Sequence, residues 1–131
     1  MTGGQVAWNR RLWMALAAVS GLMAVMMGAF AAHLTIDPTS KRWLDTGSHY
    51  QLTHALAALA CATFLQAGAR GARFAPALFL AGTVLFCGTL YAMALGGPLW
   101  LGAVTPAGGL LFVAGWAVLV WSAKDIDRAA A

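Results

Sequence analysis

The chain has 131 residues, 61% of them hydrophobic and 9% charged, against roughly a quarter charged in soluble domains; residues 74–123 are an uncharged run of 50. A water-soluble core of this size has no use for such a run, so the composition places the chain in a bilayer. The net charge of +4 comes from eight Lys and Arg residues that sit mostly in pairs between apolar stretches rather than along one face, which excludes nucleic acid as a partner.

A hydrocarbon core about 30 Å thick takes about 20 helical residues, and the charges and helix breakers cut the chain accordingly. The reading is an all-α, integral membrane four-helix bundle: a cytoplasmic N-terminus (1–11), one domain with spans at about 12–34, 46–67, 74–95 and 104–122, and a cytoplasmic tail (123–131) expected to fray at Ala129 to Ala131. The first span follows Arg10 and Arg11. With Ala29-Phe30-Ala31 they imitate a signal peptide and its cleavage site, but the apolar stretch is longer than a usual signal core and reads as a span. Along it Ser20, Ala24, Gly28 and Ala32 recur every four residues, a small-residue face suited to helix packing.

Asp37-Pro38 predicts a helix start ahead of the second span. A helix from there to Ala67 would measure about 45 Å, more than the core needs, so Lys41, Trp43 and Leu44 are expected to lie in the interface, with a bend at Gly47. Gly96-Gly97-Pro98 is the strongest breaker in the uncharged run and ends the third span, whose Gly88, Ala92 and Gly96 form a second small-residue face. The connector 96–105 should pack on other helices, because irregular backbone at membrane depth needs partners. Thr105-Pro106 predicts a capped start for the fourth span, where Gly108, Gly115 and Ser122 at sevens form a left-handed seam.

Short loops rich in Lys and Arg stay cytoplasmic. Arg10, Arg11, Arg70, Arg73, Lys124 and Arg128 fall on one side and Lys41 and Arg42 on the other, which predicts both termini in the cytoplasm. Trp8, Trp13, Phe74 and Trp121 then mark the inner interface, Trp43 and Trp100 the outer.

Polar side chains inside a bilayer are costly and are therefore the candidates for a site. Depth places His33, Tyr50, Gln51, His54, Thr89, Tyr91 and Thr105 in the outer half, with Tyr50, Gln51 and His54 on one helix face. The start of the fourth span should offer unpaired N–H groups and a backbone left open by Gly108 and Gly109, a place for an acceptor such as an imidazole, a hydroxyl or a ligand oxygen. The plainer reading is that these groups satisfy one another and hold the helices together. Cys61 and Cys87 differ in depth by roughly 10 Å, too far for a disulfide; His33 and His54 differ by about as much, which disfavours a haem pair. With no Glu, and all four Asp outside the spans, no nucleophile with a base is visible, no metal or cofactor is expected, and neither enzyme nor channel is indicated. The expected partners are membrane lipid and, through the small-residue faces, a larger membrane complex or a second copy.

Gly28-Ala29-Phe30-Ala31-Ala32-His33, Tyr50-Gln51-Leu52-Thr53-His54-Ala55-Leu56, Gly88-Thr89-Leu90-Tyr91 and Leu101 to Gly109 through Gly115-Trp116 resemble the YgdD-like family of small bacterial inner-membrane proteins, a domain of unknown function. The resemblance covers about 12–121 and implies a four-helix inner-membrane protein with both termini cytoplasmic and no assigned activity. One departure is that Ala31 and Ala32 stand where family members tend to carry a glycine before the His. The functional expectation is a structural or accessory membrane subunit, the alternative a binder or carrier of a lipid, quinone or proton through the outer-half polar pocket.

Overall fold

The computed structural model describes residues 9–34 and 36–128; Trp8 and Ala129 to Ala131, assigned above to an interface and a frayed tail, lie outside the described residues. Four helices account for most of it: α1 (Arg10–His33), α2 (Pro38–Gln66), α3 (Ala75–Ala94) and α4 (Thr105–Ser122). Short 3-10 turns precede α3 (Arg70–Phe74), precede α4 (Leu99–Ala103) and follow it (Ala123–Asp125). Three segments, Arg10–His33, Arg70–Ala94 and Leu99–Asp125, are long and apolar enough to cross a membrane.

Each boundary has a local cause. Asn9 caps α1 by accepting the Leu12 N–H, and Asp37 caps α2 by accepting those of Thr39 and Ser40, with Pro38 at the first helical position. The Ser40 hydroxyl also donates to Asp37 at 2.7 Å. That bond first, and the Ser40 and Thr39 N–H groups with it, hold the Asp37 carboxyl below its ordinary range. α2 and α3 end alike, on a glycine with φ of +98°, Gly68 and Gly96. The next residue's N–H reaches back to Phe64 O (2.9 Å) and Ala92 O (2.7 Å) respectively, the Schellman closure that satisfies the last carbonyls and favours glycine at that position.

Pairings run antiparallel along the bundle: Gly28 lies by Ser48 and Gly21 by Ala55; Tyr91 lies over Gly47 while Phe79 meets His54; Thr89 meets Thr105 while Phe79 lies against Gly115. α2 is the middle element, packed along both α1 and α3 and touching α4, and it buries ten residues. Neighbours cover its Ser40, Gln51 and His54, while Thr46, His49, Tyr50 and Thr53 stay exposed, and these polar residues keep it out of the strongly apolar segments. Conversely Leu22, Val25 and Met26 of α1 are each 61% exposed, an apolar outer surface that only lipid or another protein would cover.

The end of α4 and the turn after it meet the second connection. Asp127 N–H donates to Ala67 O at 2.8 Å, and Gly71 sits under the Trp121 ring and Ser122. Arg10, Arg11, Arg70, Arg73, Lys124 and Arg128 therefore gather at one end of the bundle, and Lys41 and Arg42 at the other. At the basic end Lys124 lies 4.6 Å over the Trp121 ring and Arg73 lies 4.7 Å over Phe74.

The α3–α4 seam is built by rings entering glycine gaps. A Cβ on Gly115 would fall 2.5 Å from the Phe79 ring, one on Gly82 2.6 Å from Phe112, and one on Gly108 2.8 Å from Gly82 O. Of the seam expected from Gly108, Gly115 and Ser122, all three are buried, but only the two glycines lie against α3, while Ser122 lies by Gly71. Other packing expectations need correction. On α1 the buried face is Ala17, Ser20, Ala24 and Ala31, while Ala32 is exposed; Gly28 lies near it, 3.5 Å from Ser48 Oγ in the Cβ direction. A repeat of four advances about 40° per step, so by the third step it has left the face, whereas steps of three and four hold it. Gly88 is exposed with nothing within 4 Å of a Cβ, so it packs no helix. At Gly47 α2 keeps its helical bonding, with Leu44 fully buried rather than interfacial, and the missing side chain makes room for the Tyr91 ring. The connector packs on α3 and α4 as expected, with Gly102 by Met93, though Leu99 and Trp100 are 72% and 66% exposed and its backbone also closes on itself through Leu101 N–H to Pro98 O and Val104 N–H to Leu101 O.

Two measurements check this account. Gly115→Ala should lower the melting temperature in detergent by the equivalent of about 1–3 kcal/mol from overpacking, whereas Gly88→Ala should be neutral or stabilise by up to about 1 kcal/mol through helix propensity. Protection of the Thr39 and Ser40 amides against hydrogen exchange should hold at pH values above 3.8 and fall as the pH drops through the lowered Asp37 value, since the depressed carboxyl stabilises the cap only while ionised; Asp37→Ala should remove it at neutral pH.

Candidate functional site

α2 presents its polar residues to different neighbours. Gln51, 3% exposed, accepts the Tyr91 hydroxyl at Oε1 (2.7 Å) and donates through Nε2 to Ser20 Oγ (3.3 Å), so one side chain joins α2 to α3 and α1. Tyr91 reaches it by lying across Gly47, one turn earlier on α2.

His54, 5% exposed, faces α4 instead. Its Nδ1 lies 2.7 Å from Tyr50 O, and its Nε2 lies 3.1 Å from Trp116 Nε1. A carbonyl only accepts and an indole N–H only donates, so both contacts are met by one species, the neutral ring with its proton on Nδ1. A second proton on Nε2 would set two N–H groups against each other. The ring stacks on Phe112 with centroids 3.6 Å apart, and on its own helix Tyr50 stacks at 6.0 Å. Between α2 and α4 a shallow cavity of about 620 Å³ runs along Tyr50, His54, Gly109, Val113 and Trp116.

A third pairing joins α3 to α4. The Thr89 and Thr105 hydroxyls are 2.6 Å apart, and Thr89 Oγ1 is 2.7 Å from Leu85 O, so Thr105 can donate to Thr89 and Thr89 to the carbonyl a turn before it.

The expected single outer-half cluster is thus three separate pairings. Tyr50 and His54 do lie together, but Gln51 points away from both. Residues three apart are about 60° apart around a helix, and on a helix enclosed by three others that angle is enough to select a different neighbour. His33 ends α1 exposed and makes no side-chain hydrogen bond among the described residues. Thr105 is not the cap of α4. Val104 holds that position without a side-chain bond; Pro106 has no donor and Ala107 N–H reaches Val104 O (3.0 Å), so two of the first four positions offer no open N–H. Gly108 is filled by the α3 backbone; Gly109 alone borders the cavity. Sequence reasoning missed Trp116 and Phe112 as partners of His54, and Ser20 as the partner of Gln51. Depth could have found Trp116: counted from the shared end, about 12 Å to His54 and about 17 Å to Trp116 along their helices.

The comparisons can now be set beside this geometry. A family model described as "Protein of unknown function (DUF423)" matches residues 27–109. The chain belongs to the DUF423 family. The UPF0382 inner membrane protein YgdD of Escherichia coli K12 is 39% identical over 122 residues, 90% of this chain and 93% of that protein. A UPF0382 membrane protein of Haemophilus influenzae is 38% identical over 112 residues, 83% and 90% of the two chains; one of Staphylococcus epidermidis is 36% identical over 113 residues, 84% and 93%. No solved structure matches. The resemblance read from the motifs is therefore family membership, and this DUF423 chain is a bacterial inner-membrane protein whose family carries no assigned activity.

The DUF423 match takes in Gln51, His54, Thr89, Tyr91 and Thr105 but stops short of Trp116 and starts beyond Ser20. Chemically His54 is occupied: both its nitrogens bond within the protein, leaving no lone pair for a metal or a haem iron. Cys61 and Cys87 are free, buried thiols in the core, and no group of three or more His, Cys, Asp or Glu converges among the described residues. A double-mutant cycle tests the His54–Trp116 bond: His54→Phe and Trp116→Phe should each destabilise by about 1 kcal/mol, and the pair by less than the sum, with a coupling of about 0.5–1.5 kcal/mol. Strict additivity would show the bond contributes nothing.

Proposed function

We propose that the protein is a non-enzymatic, four-span subunit of the bacterial inner membrane, with both termini cytoplasmic, whose role is structural or accessory to a larger membrane assembly. The observation that carries this reading is how its buried polar side chains are used. Tyr91 to Gln51 to Ser20, Thr105 to Thr89 and Trp116 to His54 each join different helices. Polar groups arranged to staple helices leave few free to act on a substrate.

Topology is supported by two features. Short connections make neighbouring helices antiparallel, and α2 lies along α1 and α3, so it crosses wherever they cross even though it is the least apolar of the four. Four crossings put both termini on one side, and the end they share carries six Lys and Arg residues against two at the other, the bias of a cytoplasmic face. The exposed α1 face of Leu22, Val25 and Met26 is where a partner subunit would dock in place of lipid.

Reporter fusions after Gly71 and after the C-terminus should both read cytoplasmic, and one inserted at Gly97 periplasmic. A periplasmic C-terminus would overturn the fourth crossing. Purification in mild detergent followed by native mass spectrometry should recover the chain in a complex with another membrane protein; recovery of a bare monomer throughout would count against the accessory role.

A further inference from the structure

α1 and α3 both pack on α2 but touch each other little, and between them lies a cleft of about 610 Å³. Its walls are apolar, among them Trp13, Leu16, Leu80 and Val84, and Gly88 leaves its side open, with nothing within 4 Å of a Cβ. Ser20, Gln51 and Tyr91 form its floor and show the cleft only a small polar surface.

The floor has a direction. Tyr91 donates to Gln51 Oε1, and Gln51 Nε2 donates to Ser20 Oγ. The Ser20 proton is then left over. Thr53, Thr83 and Thr89 each donate to the carbonyl four residues earlier, but Ser20 makes no such bond among the described residues. Gln51 Nε2 has a second hydrogen in the same position. Ser20 and Gln51 are 6% and 3% exposed, and within hydrocarbon no bulk water takes their protons. Two buried donors beside an apolar cleft call for an acceptor carried by an apolar molecule.

Depth narrows its class. Ser20 is the eleventh of the 24 residues of α1, a helix able to cross the membrane, and lies about 2 Å from its midpoint. Phospholipid ester carbonyls sit at the edges of a core about 30 Å thick, so they are about 15 Å away. The acceptor must belong to a lipid whose polar group enters the middle of the bilayer. A ring bearing carbonyl oxygens on a long isoprenoid tail meets that requirement, and the cleft falls within the roughly 300–1,000 Å³ of ordinary ligand sites.

We propose that the α1–α3 cleft binds an isoprenoid quinone, with a ring carbonyl accepting hydrogen bonds from Ser20 Oγ and Gln51 Nε2 and the tail lying between Leu16 and Val84. The inference concerns binding alone, with no redox step. It goes beyond the structural role by using the donor hydrogens that the Tyr91–Gln51–Ser20 pairing leaves over, and it needs α1 and α3 to cross the membrane but not a particular orientation.

The test uses the full chain in nanodiscs of phosphatidylethanolamine and phosphatidylglycerol, titrated with a ubiquinone carrying two isoprene units and, in parallel, with an alkylbenzene of matching length that lacks carbonyls. Binding is read by calorimetry and by the shift in thermal unfolding. The quinone should bind saturably and the alkylbenzene roughly ten-fold more weakly. Ser20→Ala should lower quinone affinity roughly five- to ten-fold and leave alkylbenzene binding unchanged. Gly88→Leu, which fills the cleft without touching the floor, should abolish both while melting like the parent protein in quinone-free discs. Equal affinity for the two probes, parental quinone affinity in Ser20→Ala, or quinone binding retained in Gly88→Leu would each overturn the proposal.

Discussion

A polar group inside hydrocarbon has no water to bond when its protein partner is lost, and this constraint shapes the whole bundle. It explains the place of α2, the helix with Gln51 and His54, packed along both α1 and α3 and touching α4. The two side chains face different helices, yet each has its partners at bonding distance. The same constraint acts on the main chain. The Schellman closures at Gly68 and Gly96 and the 3-10 turn before α4 satisfy carbonyls and N–H groups locally, so the connection from α3 to α4 can leave Leu99 and Trp100 exposed.

Between helices in lipid there is no hydrophobic drive to associate, so close packing must supply the attraction. The α3–α4 seam does so reciprocally, with Phe79 entering the gap at Gly115 and Phe112 the gap at Gly82. Phe112 then continues into the stack on His54, which ties the apolar seam to the polar pairing beside it. Gly47 plays the same part for Tyr91, so the hydrogen bond to Gln51 depends on an absent side chain one turn away. Where glycine admits no ring, as at Gly88, a cleft remains.

Much of the architecture was legible from one dimension. Charge spacing and length locate four helices, because a span must match the thickness of the core and charges cannot lie within it. Asp37-Pro38 and Gly96-Gly97-Pro98 mark ends because capping and positive φ are local properties. The polar residues were legible as a group for the same reason: depth follows from counting at a fixed rise. Their partners were not. Tyr50, Gln51 and His54 look alike by depth, and only the angle around α2, taken with the positions of α1, α3 and α4, separates the Gln51 side from the His54 side.

What the sequence by itself determined is therefore axial: class, membrane residence, helix ends, position along each helix, and the segregation of basic residues that follows from chain order. What the tertiary structure decided is azimuthal. It turned Ala32 outward while keeping Ala31 in, made Gly88 the side of a cleft and Gly115 a socket, moved Thr105 from a cap to a partner of Thr89, and brought Trp116 to a histidine 62 residues away. The physical reason is that rise along a helix is set by its own backbone, whereas rotation about its axis is set by what packs against it, and that information resides in the neighbouring helices.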